Sequence, residues 1–389
     1  MDELSLRYGL NPHQVPARAF VDPGRLPFRV LNGRPGYVNL LDALNSWQLV
    51  RELDALTGLP AAASFKHVSP AGAAVGLPLS AELAESCATD PEGLSPLACA
   101  YVRARGADRM SSFGDWAAFS RPVDRATARL LRREVSDGCV APGFEPGAVE
   151  LLEEKKGGGY PVLEMDPGFR PPELETRQVF GVSLEQRRND AALGAGLFER
   201  VVTRNRELTA AAQRDLLVAA AVLKYTQSNS VCVAYDGQVI GVGAGQQSRI
   251  HCTRIACAKA DRWLLRLHPR VRGLRFRRGV GRADRATAVD LFLEDDATGA
   301  ELAAWRELFD AAPARLGAEE KREWLDRYRG AALGSDAFIP FRDNIDRAAR
   351  SGVGFVIQTG GSTRDEDVIR AADEYEMVMV FTGVRLFHH

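Results

Sequence analysis

Cysteine is scarce in this chain: six in 389 residues (Cys87, Cys99, Cys139, Cys232, Cys252 and Cys257), scattered and with no Cys-x-x-Cys pair. That excludes the usual zinc-ribbon and thiol-redox spacings and leaves reduced, mostly buried thiols as the reading. Histidine is as sparse, and no two of His13, His67, His251, His268, His388 and His389 stand at the i, i+4 spacing of a helical metal site, so no protein-bound zinc is expected. No apolar run approaches the roughly 18 residues of a membrane span. The start, Met1 to Arg7, carries acids where a secretory leader would be basic, so a cytoplasmic protein is expected. Neither sign of charge is in excess: 50 basic against 51 acidic residues give a net charge of −1. No global field would therefore draw the protein to nucleic acid or anionic lipid, although local arginines can still hold small anions.

What is present is an α/β pattern in two halves. The stretch from Asp166 to Gln186, with Pro167, Pro171 and Pro172 among charges, breaks the apolar periodicity. It places a boundary between a first lobe, 1–175, and a second, 176–389. In the first lobe Leu41, Leu44, Trp47, Val50 and Leu53 recur at helical spacing, followed by a buried strand over 61–65 and a tight loop at Pro70-Ala71-Gly72. A helix over 126–135 and a short strand over 160–164 follow. In the second lobe a helix is predicted over 209–224, and a hairpin of 231–235 and 238–242 about Asp236-Gly237. A helix over 249–267 comes next, and near the C-terminus a strand (354–358), helix (366–372) and strand (377–381) are spaced for a βαβ unit. The similar alternation in both halves suggests an internal duplication.

Several stretches could carry chemistry. Lys66-His67 ends an apolar strand, where an adjacent cation and base suit acyl transfer and where a solvated strand edge is the plainer alternative. The glycine-rich Gly241 to Gly245 leads toward Arg249 and a helix; it is either an anion site or a turn, and lacks both dinucleotide and P-loop spacing. Thr359-Gly360-Gly361-Ser362 is either a backbone nest for a carboxylate or pterin or a βα turn. The aromatic stretch before Arg342-Asp343 either stacks on a flat heterocycle or staples a helix with Asp343 near its N-cap. Tyr225 to Ser230 is a loop or a binding surface.

Taken in order, Leu6 to Gly9 with Asn11 to Gln14, Ser64 to Gly72, Arg103 to Asp115, Glu134 to Gly138, Lys224 to Val231, Val239 to Arg254, Ser335 to Asp343 and Arg385 to His389 resemble the AICAR transformylase half of the bifunctional AICAR transformylase/IMP cyclohydrolase family. The resemblance covers essentially the whole chain. It implies two cytidine-deaminase-like lobes without zinc, since the His-x-Glu and Pro-Cys-x-x-Cys of the zinc deaminases are absent. It also implies a homodimer with active sites at the subunit interface.

By the same resemblance the chain would transfer a formyl group from 10-formyl-tetrahydrofolate to the 5-amine of AICAR. His67 would be the proton acceptor and Lys66 the transition-state stabiliser. Arg7, Tyr8, Gly114, Asp137, Asn229, Arg249, Phe338 and Arg385 would hold AICAR. Ile250, Asp343, Ser362 and Thr363 would contact the folate, with Met110, Phe113, Pro340 and Phe341 as apolar walls. A structural potassium ion near Tyr225 to Ser230 is a further possibility of the family. The family's cyclohydrolase domain has no counterpart in this sequence, so formyl-AICAR without IMP, and a separate IMP cyclohydrolase as partner, are expected. Ile339 and Thr287 depart from the pattern of some relatives, which bears on the finer folate contacts. The alternatives are a catalytically silent nucleotide- or folate-binding relative and formate-dependent formyl transfer, the second disfavoured by the missing P-loop.

Overall fold

The computed structural model describes residues 2–389. Fifteen strands are present among them: β1 (Asp2–Leu6), β2 (Ala17–Val21), β3 (Phe28–Asn32), β4 (Ala61–Lys66), β5 (Ser69–Val75), β6 (Asp115–Phe119), β7 (Ser136–Ala141), β8 (Val162–Met165), β9 (Leu174–Val179), β10 (Val182–Arg187), β11 (Val231–Tyr235), β12 (Gln238–Gly243), β13 (Ala331–Ser335), β14 (Val353–Gln358) and β15 (Val378–Phe381). Eleven of them form one mixed sheet in the order β15-β14-β13-β11-β12-β5-β4-β6-β7-β8-β3. The pairs β1-β2 and β9-β10 stand apart as two-stranded ribbons.

The sheet repeats itself. From the centre outward, β5-β4-β6-β7-β8 and β12-β11-β13-β14-β15 each run as an antiparallel hairpin, a further antiparallel strand and then two parallel strands. The halves meet where β12 pairs with β5, at Gln238 opposite Ala74, beside a hydrogen bond from Val75 N–H to the Gly237 carbonyl at 2.9 Å. The cut at 175/176 falls inside β9, part of an exposed ribbon whose tip, Phe180, lies in solvent.

Period-two alternation sorts the strand residues to opposite faces. Ala61, Ala63 and Phe65 of β4, with Cys232 and Ala234 of β11, join one core that also takes Leu49 and Leu53 of helix α1 (Tyr37–Thr57) and Val218 and Val222. Ala62 and Ala74 face the other way, onto helix α2 (Pro96–Ala107). Val231 and Val233 do the same against helix α4 (Arg249–Arg266), which follows helix α3 (Ala210–Lys224). The result is a helix-sheet-helix sandwich in which one apolar layer crosses from the first half to the second. A satellite core of Leu265, Val271, Ala288, Phe292, Trp305 and Phe309 belongs to an excursion that includes helix α5 (Arg282–Leu293).

Two sequence expectations are revised. Pro70-Ala71-Gly72 is not a loop but part of β5, and the chain reverses earlier, at His67-Val68. The glycines there and in β12 serve close packing. A Cβ on Gly72 would stand 2.2 Å from the Ala104 carbonyl of α2, and one on Gly243 would stand 2.1 Å from the Cys252 carbonyl of α4. Gly241 and Gly243 are therefore strand residues that admit a helix, while Gly245, at φ +66, makes the turn. Other boundaries move by a residue or two: the helix expected over 126–135 is Arg125–Arg133, capped by Asp124, and the strand expected over 160–164 is Val162–Met165.

Because the atom a Gly72 side chain would meet is backbone, Gly72→Ala should cost about 1–3 kcal/mol. Gly299→Ala, on a helix and with open space around it, should be neutral or stabilise by up to about 1 kcal/mol. Urea unfolding of the two variants separates packing from backbone freedom; equal effects would refute the close-approach role.

Candidate active site

The turn from β4 to β5 places Lys66 and His67. Lys66 pairs with Ser69, and the two residues between, His67 and Val68, have φ of 53° and 60°. This left-handed pair is the backbone of a two-residue hairpin, which favours Asn-Gly or Asp-Gly; a β-branched valine there is strained. The other central hairpin has Asp236 and Gly237 at φ 49° and 74°, with the residue types the turn prefers. At the first hairpin the strain is held from outside. Asp42 of α1 accepts the Val68 N–H at 2.7 Å.

Asp42 was not singled out by the sequence, where it is one more residue of an amphipathic helix. It is 5% exposed, and burial raises its carboxyl to about 6, against the lowering effects of the Val68 N–H and of His67. A buried carboxylate thus borders the exposed His67 imidazole, an arrangement suited to stabilising an imidazolium once His67 has taken a proton.

Lys66 is half-buried and donates to the Phe113 carbonyl. The loop bearing that carbonyl is fixed by a buried network. Arg105 bonds Asp115 at 2.8 Å, Glu134 at 3.2 Å and the Val135 carbonyl at 3.1 Å. Ser64 donates to Asp115 and lies 2.9 Å from the Ser112 hydroxyl. Gly114, at φ +72, bonds Val135 and faces the Asp137 carboxylate, which in turn pairs with Lys156 at 2.7 Å. Lys66, His67, Phe113, Gly114 and Asp137 thus form one group with Asp42.

A second group gathers in the other half. Arg249, only 7% exposed, donates to Asp336, to the Ser230 carbonyl at 2.9 Å and to Asn229 Oδ1 at 2.9 Å. Asp336, fully buried and also unforeseen, further accepts from Ser228 Oγ at 2.6 Å and from Ser230 N–H at 2.9 Å. Its carbonyl accepts the Leu386 N–H at 2.8 Å, which secures the segment carrying Arg385 and Phe387. Arg385 is exposed and lies over the Phe387 ring at 4.7 Å. Phe338 and Phe341 are exposed while Ile339 between them is buried, its N–H held by Gln358 at 2.9 Å. Pro340 and Ile250 are half-buried; Asp343 and Thr363 are exposed.

Hydrogen bonds decide one alternative left open by sequence and describe the setting of two more. The amides of Gly361 and Ser362 are occupied by Asp365 at 2.7 and 3.2 Å, so that loop is a βα turn rather than a vacant nest. Asp343 is the first helical residue and caps nothing. Tyr225 to Ser230 is a loop bonded to its surroundings, with Tyr225 donating to Glu52 at 2.7 Å, Ser228 N–H to the His388 carbonyl at 2.9 Å and Ser230 N–H to Asp336 at 2.9 Å.

Among the described residues, no hydrogen bond, ion pair or ring contact joins Lys66 or His67 to the second group, and the nearest link is Gln227 N–H to Ser69 Oγ at 3.3 Å. Arg7 and Tyr8, on the reversal between β1 and β2, contact each other at 5.8 Å. Met110 is exposed and meets Thr287 at 4.0 Å. Among the described residues no cluster of three or more His, Cys, Asp or Glu side chains is arranged to hold a metal ion. No helix there is long and apolar enough to cross a membrane.

Residues 1–259 match the family described as the AICARFT/IMPCHase bienzyme. The chain is 33% identical over 392 residues to the bifunctional purine biosynthesis protein PurH of Xanthomonas campestris pv. campestris (strain 8004), an alignment covering 99% of this chain and 58% of that protein. The same figures hold for the proteins of that name from Xanthomonas euvesicatoria pv. vesicatoria (strain 85-10) and Xanthomonas axonopodis pv. citri (strain 306). The chain thus spans a little over half the length of these relatives. The family match ends within α4, so Phe338, Pro340, Phe341, Asp343, Ser362, Thr363 and Arg385 lie in the part covered by the relatives alone.

The raised Asp42 carboxyl sets a pH test. Its proton is held to about 6 in the folded chain against 3.8 for the free group. Its contribution to stability is therefore most favourable below about pH 4 and is lost as pH rises through 6, a cost reaching about 3 kcal/mol. Asp42→Asn keeps an oxygen for the Val68 N–H and removes the charge, so at pH 8 it should unfold at a higher temperature than the parent and lose the pH 4–6 dependence. A variant less stable than the parent at pH 8 would refute the assignment.

Proposed function

Because the chain belongs to the AICARFT/IMPCHase bienzyme family, we propose that it transfers the formyl group of 10-formyl-tetrahydrofolate to the 5-amino group of AICAR, giving formyl-AICAR and tetrahydrofolate in purine biosynthesis. The observation that carries this reading is the strained hairpin turn that presents Lys66 and His67 side by side, backed by Asp42 and by the Phe113 carbonyl.

The amine of AICAR is conjugated with its imidazole ring and is a weak nucleophile until its proton is removed. His67 accepts that proton as the nitrogen bonds to the formyl carbon. Negative charge grows on the formyl oxygen, where the Lys66 ammonium stabilises it. The bond from carbon to N10 then breaks, and N10 leaves with a proton relayed from the Lys66-His67 pair. Gly114 and Asp137 border AICAR in the first group. Arg7, Tyr8, Asn229, Arg249, Phe338 and Arg385 complete its site, the arginines suiting its phosphate. Met110, Phe113, Ile250, Pro340, Phe341, Asp343, Ser362 and Thr363 receive the folate, with the exposed Phe341 among its apolar walls.

Among the described residues only a bond from Gln227 N–H to Ser69 Oγ links the neighbourhoods of the two groups, which supports a homodimer in which the first group of one subunit completes its site with the second group of its partner. The two-fold repetition of the sheet supports cytidine-deaminase-like lobes derived by duplication. A potassium ion near Tyr225 to Ser230 would take oxygen ligands there, where the Ser228 and Ser230 hydroxyls both bond Asp336 and the His388 carbonyl accepts the Ser228 N–H at 2.9 Å. Such an ion would brace the second group. Six free cysteines, five of them buried, favour a reducing compartment, the cytoplasm. Closure of formyl-AICAR to IMP falls to a cyclohydrolase.

Incubating the chain with AICAR and 10-formyl-tetrahydrofolate should release tetrahydrofolate and yield formyl-AICAR by mass. His67→Ala should lower kcat by about 100-fold or more. No folate turnover would overturn the proposal in favour of a silent binding protein, and turnover with formate and ATP instead would reassign the donor.

The shared site has its own test. Mixing His67→Ala with Asp343→Ala, each expected to be impaired alone, should restore part of the activity by forming one intact site per mixed dimer. Failure of these variants to complement, with mixed dimers verified by mass, would place the whole site within one chain.

A further inference from the structure

Arg109 and Phe113, on the loop whose carbonyl holds Lys66, also line a cavity of about 370 Å³ between α2 and α5. Six arginines reach it, Arg105, Arg109, Arg266, Arg272, Arg282 and Arg285, against two acids, Glu85 and Glu134. The acids are already engaged. Glu134 takes Arg105 at 3.2 Å and Arg282 at 2.7 Å, and Glu85 takes Arg272.

What remains is cationic. Arg266 is 9% exposed and its guanidinium makes no hydrogen bond among the described residues. Of the two carboxylates near it, Asp108 is paired with Lys259 at 2.9 Å, and Asp290 stands 3.8 Å away and is bonded to Arg262 at 3.0 Å. Burial, and after it the like charge of Arg109, depresses the Arg266 ionisation. Arg285 gives one N–H to the Val280 carbonyl at 3.0 Å and lies over the Phe276 ring at 5.5 Å. A buried guanidinium presents five donors and normally finds acceptors for them, so one without any marks a place where an acceptor arrives from outside. Phe276, Leu274 and Val289 supply an apolar wall.

We propose that this cavity binds a small organic anion carrying at least two negative charges, gripped by Arg109, Arg266 and Arg285. Occupancy would steady the loop that positions Lys66. Two sources share this chemistry: a phosphate-bearing metabolite, and the carboxylate tail of an oligo-γ-glutamyl folate, the latter resting on the folate reading of Phe113.

Calorimetric titration of the full chain at low salt with pyrophosphate, and separately with tri-γ-glutamate, tests this without any formyl transfer, so its failure is distinct from failure of the proposed activity. At least one probe should bind, and binding should weaken about tenfold or more in Arg266→Met and in Arg109→Ala. Binding of the peptide alone would assign the cavity to the donor's tail, and binding of pyrophosphate to a phosphate-bearing ligand. Arg109→Ala changes a half-buried rim residue, so the test survives a misfolded Arg266→Met. Absence of binding by both probes, or binding unchanged in a folded variant, would overturn the site.

Discussion

The buried pair of Arg105 and Asp115 is the constraint on which the first group depends. Two charges taken out of water cost several kcal/mol each, and their mutual attraction repays this only with good geometry and every remaining donor and acceptor satisfied. Here Asp115 also takes Ser64, and Arg105 also takes the Ser112 and Val135 carbonyls and Glu134. Each added bond ties a different segment to the same point: β4, the loop before β6, and the turn into β7. Ser64 lies two residues before Lys66 on the same strand, and Ser112 directly precedes Phe113. The pair therefore fixes both ends of the contact between Lys66 and Phe113, and removing one partner would leave a buried charge with nothing opposite it.

The second group repeats this solution with other residues. Arg249 and Asp336 form a buried pair whose spare oxygens and protons are taken by Ser228, Ser230 and Asn229. In both halves an arginine on a helix over the sheet meets an aspartate at or just beyond the end of a sheet strand. Arg249 and Asp137 both stand in ion pairs, so if they hold AICAR as proposed, their grip would depend on how those pairs share charge with the arriving groups.

Much of this fold was legible because local chemistry and tertiary demand agree. The hairpin at Asp236-Gly237 announces itself, since those residue types adopt positive φ cheaply. The alternation in β4 and β11 and the helical spacing in α1 come from burial on the faces they serve. The turn at His67-Val68 was not legible: its residues are poor turn formers, held there by Asp42 from 26 positions away, and the nearby proline and glycine drew the reversal too far along. Gly72, Gly241 and Gly243 misled in the same way, because a glycine that admits a helix and one that makes a turn look alike in sequence. Asp42 and Asp336 lacked any signal of their own, since each acts through partners distant in the chain. The grouping of the site residues was likewise beyond spacing, which carries no information about whether Lys66 reaches Arg249.

The seam between β5 and β12 bears on how the proposed activity would run. Hydrogen bonds and one apolar layer run from half to half, so the two halves cannot swing apart and close over a substrate as hinged lobes do. A molecule built this way would have its dipoles aimed before anything binds. Discrimination between ligands must then come from the fit of rigid walls, with the strained turn at His67 as a fixed feature of the landscape rather than a consequence of closure.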